Sequence, residues 1–201
     1  MKIIFATGNE GKLREIKAVL GEYFEIVSSK EAGIKGEAEE TGKTFEENSK
    51  LKALYVMKQT GCPVLADDSG LEIDFLGGKP GVESARFMGH DTSYDIKNSA
   101  ILDLLSDVPD EKRGARFVCC ITAAIPSESG EPEILQATRT MEGLIGRKIA
   151  GKNGFGYDPI FFLPAYGVTS AEISPEEKNK ISHRGKALRA MKDLLLERFN
   201  K

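Results

Sequence analysis

Apolar residues along this chain fall alternately at strand and at helix spacing. Residues 2–6 (Lys-Ile-Ile-Phe-Ala) are a short apolar run, broken by the polar turn Thr7-Gly8-Asn9-Glu10-Gly11, and predict a buried first strand. From about Lys12 the spacing changes, and Leu13, Ile16 and Leu20 lie on one helical face. Phe24–Ser28 predicts a second strand, and residues 30–43 are a polar, glycine-containing loop. Thr44-Phe45-Glu46-Glu47 is a capping box, in which Thr44 accepts from the Glu47 amide while Glu47 reaches back. The helix it opens runs to about Thr60, with Leu51, Leu54, Tyr55 and Lys58 on one face.

Pro63–Ala66 predicts a strand that ends in Asp67-Asp68-Ser69-Gly70, and the alternation of Leu71, Ile73 and Phe75 predicts a returning strand. Leu76–Gly81 is a loop. A helix over roughly Thr92–Ser106 carries Ile101, Leu104, Leu105 and Val108 as its apolar stripe, and Pro109 stops it. Ala115–Ile125 and Glu133–Met141 predict a hairpin around Pro126-Ser127-Glu128-Ser129-Gly130. Gly151–Asp158 is a glycine-rich loop and Pro159–Leu163 a strand. Ser174-Pro175-Glu176-Glu177 starts a helix, and a last one begins near Ser182 with Leu188, Met191, Leu195 and Phe199. The order predicts an α/β fold with a mixed sheet flanked by helices.

At 201 residues the chain is one domain, residues 1–201, with room for two lobes around a cleft. Hydrophobic residues are 40% and mean hydropathy is −0.28, which suits a globular core. No run approaches the roughly 18 apolar residues of a membrane span, and the N-terminus lacks a signal-peptide core, so a cytoplasmic protein is expected. Net charge is −3 with a pI near 5.6. That acidic balance speaks against a nucleic-acid partner and for a small phosphate ligand held by a local cluster. Cys62, Cys119 and Cys120 have no C-x-x-C spacing and read as reduced thiols, the last two on opposite strand faces.

Four places concentrate chemistry. Thr7-Gly8-Asn9-Glu10-Gly11-Lys12 joins a strand to a helix, where free amides and a positive dipole end welcome phosphate and Lys12 adds a charge. Alone it is equally a plain turn, and it is not a Walker loop, since Leu13 stands where Ser or Thr would bind magnesium. Asp67 and Asp68 adjoin an apolar strand, with their side chains diverging. Glu37, Glu39 and Glu40 add a second acidic group, and hard oxygens of this kind suit Mg2+. Gly154-Phe155-Gly156-Tyr157-Asp158 holds two aromatics between glycines, which fits either base stacking or a core bend. Ser182-His183-Arg184 puts a titratable ring and a bidentate donor at a helix start; His90 is the other histidine.

Taken together, these segments resemble the inosine triphosphate pyrophosphatase family, which acts on deaminated purine nucleotides. The resemblance rests on Thr7–Lys12, Ala66-Asp67-Asp68-Ser69-Gly70-Leu71, Gly154-Phe155-Gly156-Tyr157-Asp158-Pro159 and Ser182-His183-Arg184, and on Glu39-Glu40-Thr41-Gly42, Phe45-Glu46-Glu47-Asn48, Leu76-Gly77-Gly78-Lys79-Pro80-Gly81 and Glu176-Glu177-Lys178, in order along nearly the whole chain. It implies an elongated α/β fold with a long mixed sheet, two lobes around a central cleft, and a homodimer. It implies that Thr7, Gly8, Asn9, Glu10, Gly11, Lys12 and Ser69 hold the triphosphate, with Lys52 helping. By the same resemblance Asp68 acts on the attacking water and, with Glu39, holds Mg2+. Phe155 would stack on the base, within a loop that also brings Gly156 and Tyr157. Asp158, Lys178, His183 and Arg184 would line the base and sugar pocket.

The implied reaction is attack of water at the α-phosphorus of ITP, dITP or XTP, giving the monophosphate and pyrophosphate. Arg184 would read the 6-carbonyl that adenine lacks. The rivals are a pyrophosphatase for modified pyrimidine or methylated nucleotides and a nucleotide sensor without turnover.

Overall fold

The computed structural model describes residues 1–89, 91–128 and 130–200. His90, Lys201 and Ser129 of the expected hairpin turn lie outside the described residues.

Strand β1 (Lys2–Phe5) leads into helix α1 (Glu10–Leu20), which starts two residues before Lys12. Asn9 causes the early start: extended itself, it accepts with its side chain from the Gly11 and Lys12 amides. Strand β2 is Glu25–Ser28, and helix α2 is Phe45–Thr60, capped by Thr44 and ended by Gly61 in the left-handed region. The buried face of α2 is Phe45, Asn48, Ser49, Ala53 and Val56, not the expected Leu51 face; Leu51 is exposed. Apolar spacing misled here because two of the buried positions are polar.

A second correction concerns β3, which runs unbroken over Val64–Ile73. Asp67-Asp68-Ser69-Gly70 therefore lies within a strand, and there is no turn and no returning strand. Helix α3 (Tyr94–Leu104) buries Ile101, with Leu105 and Val108 beyond it, but leaves Leu104 exposed. Strands β4 (Gly114–Ile125) and β5 (Glu133–Ile145) are the expected neighbours, and β6 is Phe161–Leu163. A two-residue strand, β7 (Val168–Thr169), has too little sequence to leave a periodicity. Helices α4 (Pro175–Ile181) and α5 (His183–Arg198) close the chain, the first capped by Ser174.

The sheet has the order β2-β1-β3-β4-β5-β6-β7. It is mixed: β1 runs parallel to β2 and β3, whereas β5–β6 and β6–β7 are antiparallel. The described residues divide into two compact units. The first comprises Met1–Asp68, Cys119–Arg139 and the described part of Arg184–Lys201; the second comprises Ser69–Val118 and Thr140–His183. Unit 1 has a core on each face of its strands. Ile16 and Leu20 of α1 and Leu188, Met191 and Leu195 of α5 pack with Leu65 on one face, while Ala53 and Val56 of α2 pack with Val64 and Ala66 on the other. Unit 2 is built around Leu71, Ile101, Phe117, Tyr157 and Phe161. Cys119 and Cys120 are buried, and neither is in a disulfide.

Candidate active site

In unit 1 the expected phosphate loop sits between β1 and α1. Asn9 Oδ1 accepts from Gly11 N at 2.8 Å and Lys12 N at 3.1 Å, and the Asn9 amide donates to Thr7 Oγ1 at 3.1 Å. The amides of Gly8 and Glu10 keep no acceptor among the described residues and are the donors left for an anion.

The two aspartates show what an unbroken strand does. Successive side chains point to opposite faces, so Asp67 follows Leu65 toward α1 and α5, and Asp68 follows Val64 and Ala66 toward α2. Asp67 is 2% exposed and meets Lys12 Nζ at 2.8 Å and Arg184 Nε at 3.3 Å. Burial alone would raise its pKa, but the charges of Lys12, Arg184 and Lys52 outweigh it and hold the carboxyl well below the usual range. Asp68 meets Lys52 Nζ at 3.0 Å through Oδ1, and its Oδ2 is buried with no hydrogen-bond partner among the described residues. Burial dominates there and raises the pKa, with Lys52 pulling it down and Glu40 and Asp67 pushing it up. Two neighbouring carboxyls are thus driven apart, one a fixed anion and one a stronger base.

Lys52 sits between two acids, 3.0 Å from Asp68 and 3.0 Å from Glu40. Burial would lower its pKa, but Asp68, Asp67 and Glu40 raise it, so it stays a cation. Glu39 is exposed, and Glu40 is the acid of that loop joined to Lys52. The loop is pinned to the first turn of α2, where Gly42 N donates to Asn48 Oδ1 at 2.8 Å and Lys43 N to Glu47 Oε2 at 2.6 Å. A Cβ on Gly42 would come within 2.7 Å of Asn48 Oδ1, which makes glycine a packing requirement there.

The unpartnered oxygen of Asp68, with Glu40 on the same lysine, suits a hard cation. Among the described residues no group of three or more acidic, histidine or cysteine side chains is arranged to hold a metal ion by itself. Such a pair fits Mg2+, which takes one or two carboxylates and completes its shell from phosphate and water.

Unit 2 holds the aromatic loop. Asp158, 2% exposed, organises it by accepting from Phe155 N at 2.8 Å, from Ser170 Oγ at 2.8 Å and from Lys178 Nζ. Phe155 is left 49% exposed, with Lys178 Nζ 5.2 Å from its ring centroid. A cation thus lies over the ring of this half-exposed aromatic. Tyr157 takes the opposite part: it is buried, donates to Ser84 O at 2.7 Å and meets Tyr94 edge-on. Helix α3 supports the loop again where Asn98 Nδ2 donates to Gly156 O at 3.1 Å. His183 is buried and stacked on Phe117, with ring centroids 4.9 Å apart. Ser69 is half-buried on β3.

The loop's geometry demands glycine at one point. Gly154 has φ +76°, and a Cβ there would fall 2.2 Å from Asp158 Oδ2. Gly154→Ala is expected to destabilise the protein by about 1–3 kcal/mol, the scale of a strained left-handed residue. Urea denaturation measures this, and a loss under about 0.5 kcal/mol would mean the loop relaxes freely.

Of the expected site residues, Thr7–Lys12, Lys52, Asp68 and Arg184 lie in unit 1, as do Glu39 and Glu40. Ser69, Phe155–Asp158, Lys178 and His183 lie in unit 2. Arg184 is 4% exposed, and its recorded ion pairs are with Asp67 and with Glu15, the latter at 3.1 Å. Three contributors were given no role by the sequence, although the first two fall in the matching segments: Asp67 as a charge anchor, Asn48 as the loop clamp, and Asn98 behind Gly156. The strand period hints at the first, because it separates Asp67 from Asp68; nothing in the spacing marks the asparagines.

The chain as a whole has close likenesses among known proteins. The model of the Ham1 family matches residues 3–194, and this chain belongs to that family. It is 47% identical over 195 residues to the dITP/XTP pyrophosphatase of Escherichia coli O157:H7, covering 96% of this chain and 98% of that one. Solved structures agree. A HAM1 protein from Coxiella burnetii superposes with TM-score 0.90 at 41% identity, covering 98% of this chain and 99% of that one. The Ham1 protein of Staphylococcus aureus gives TM-score 0.88 at 36% identity, with 98% and 100% covered. These likenesses bear out the mixed α/β sheet. No helix among the described residues is long and apolar enough to cross a membrane.

Proposed function

We propose that this protein hydrolyses deaminated purine nucleoside triphosphates, ITP, dITP and XTP among them, to the monophosphate and pyrophosphate. The observation that carries the reading is the split of Asp68 from Asp67: a buried carboxyl with raised basicity and one unpartnered oxygen, beside a fixed lysine. The family membership and the pyrophosphatase relatives supply the substrate class.

Asp68 takes the proton of the attacking water, since a carboxylate whose pKa is raised by burial is a stronger base than an ordinary one. Asp68 with Glu39 or Glu40 would hold Mg2+, which would supply charge neutralisation for the phosphates. Lys12 and the free amides of Gly8 and Glu10 bind the polyphosphate, Lys52 keeps Asp68 in place, and Ser69 assists. Phe155 stacks on the base, while Asp158, Lys178 and His183 shape the pocket around it. Arg184 gives a donor to the 6-carbonyl. The protein works as a cytoplasmic homodimer that clears the nucleotide pool.

Hydrolysis of ITP in 18O-labelled water is the test of the bond broken. The label is expected on IMP, with unlabelled pyrophosphate released in one step. IDP and orthophosphate as first products would rule the reading out. A panel with methylated and pyrimidine nucleotides separates the nearest rival enzyme.

A further inference from the structure

We propose that Asp67 is a positioning residue for this reaction: one buried carboxylate fixes the amine of Lys12 and the guanidinium of Arg184 at the first turn of α1. The inference rests on the function read above and adds a residue to it. Lys12 Nζ lies 3.0 Å from Oδ1 and 2.8 Å from Oδ2, so both carboxylate oxygens hold the one amine. Arg184 Nε shares Oδ2 at 3.3 Å, and Arg184 Nη1 reaches Glu15 at 3.1 Å. Glu15 stands three residues after Lys12 on α1, on the same face of the helix. The helix that carries the phosphate loop is thus braced twice, by β3 through Asp67 and by α5 through Arg184.

Two other roles for Asp67 fail on the geometry. A solvated acid would be exposed, and this one is 2% exposed. A proton acceptor needs an oxygen open to water, whereas each oxygen here carries a cation. Its place in the reaction is to act through Lys12. A lysine on a flexible stem gains most from being held before substrate arrives, because preorganised charge costs no rearrangement at the moment of reaction.

Asp67→Asn keeps the shape and removes the charge. Its kcat/KM for ITP is expected to fall at least ~20-fold, the scale of a misplaced catalytic group. In a Lys12→Met background the same change should cost no more than ~3-fold, because residues acting as a unit are not additive. Losses that multiply, or an Asp67→Asn enzyme within ~2-fold of wild type, would overturn the proposal. Asp67→Glu guards against a folding failure: it keeps the charge but moves it by a methylene, and should still lose ~5-fold or more. A Glu variant at full activity would reduce Asp67 to charge balance. Limited acetylation at neutral pH, read by mass spectrometry at Lys12, needs no turnover. Labelling should rise several-fold in the folded variants, and unchanged labelling refutes the positioning. If wild type releases no pyrophosphate from any nucleotide, the function above falls, and the labelling alone decides Asp67.

Discussion

Asp68→Asn should lower kcat on ITP by at least ~100-fold, the contribution of a positioned general base, while the protein stays folded. The substitution is nearly isosteric, and Oδ1 can still accept from Lys52, whose amine lies 3.0 Å away. What is lost is the basic, unpartnered oxygen. The sign of the pH dependence follows from the raised pKa. The working form is the carboxylate, so activity is present above the folded pKa and is lost as pH falls through it. Without a bound cation that acid limb lies above the 3.8 of an ordinary aspartate, because burial outweighs Lys52, and Mg2+ on the same carboxylate would draw it down. A steady-state pH profile of wild type and mutant checks both statements. Near-normal turnover in the mutant would remove Asp68 from the mechanism.

Arg184→Ala is expected to act twice. It takes the guanidinium from Asp67 and Glu15, and breaking a buried ion pair costs about 3–5 kcal/mol. Here the lower end applies, since Lys12 remains on Asp67 and Glu15 is partly exposed. The midpoint of urea unfolding should therefore drop markedly. If Arg184 also reads the purine 6-carbonyl, a charged hydrogen bond is worth about 1.5–3 kcal/mol, and the ITP/ATP ratio of kcat/KM should shrink roughly ten- to a hundredfold. The ratio is independent of the folded fraction, so the two effects separate. An unchanged ratio with a lowered midpoint assigns Arg184 to the ion-pair brace alone.

The capping box at Thr44, the Ser174 cap and the apolar stripes of α1 and α5 were legible because each is a local signal carried by neighbouring residues. The α/β class followed from their order. The continuity of β3 was not legible, because a Ser-Gly pair after two acids has the composition of a turn, and only the pairing partners keep it extended. The inward face of α2 was hidden for a related reason: Asn48 and Ser49 are buried as polar groups, which apolar periodicity does not count. In the candidate site, the sequence singled out Lys12, Lys52 and Asp68, and the structure shows which acid each lysine meets. Which carboxylate faces which cation depends on the strand's pleat and on helices far away in sequence, as Arg184 meeting Asp67 illustrates.

The buried first half of β3 has a consequence for how the chain assembles. Val64, Leu65 and Ala66 are apolar on both faces, so hydrophobic alternation gives this strand no preferred alignment. A slip of one residue would bury the same kinds of atoms. It would also turn Asp67 toward Lys52 and carry Asp68 over to Lys12 and Arg184. The cations on the two faces therefore act as keys that admit one alignment, the one pairing Ile4 with Val64 and Phe5 with Leu65. The charges of the candidate site thereby also proofread the sheet, and a chain neutralised at both aspartates is expected to lose its guard against misregistered folding.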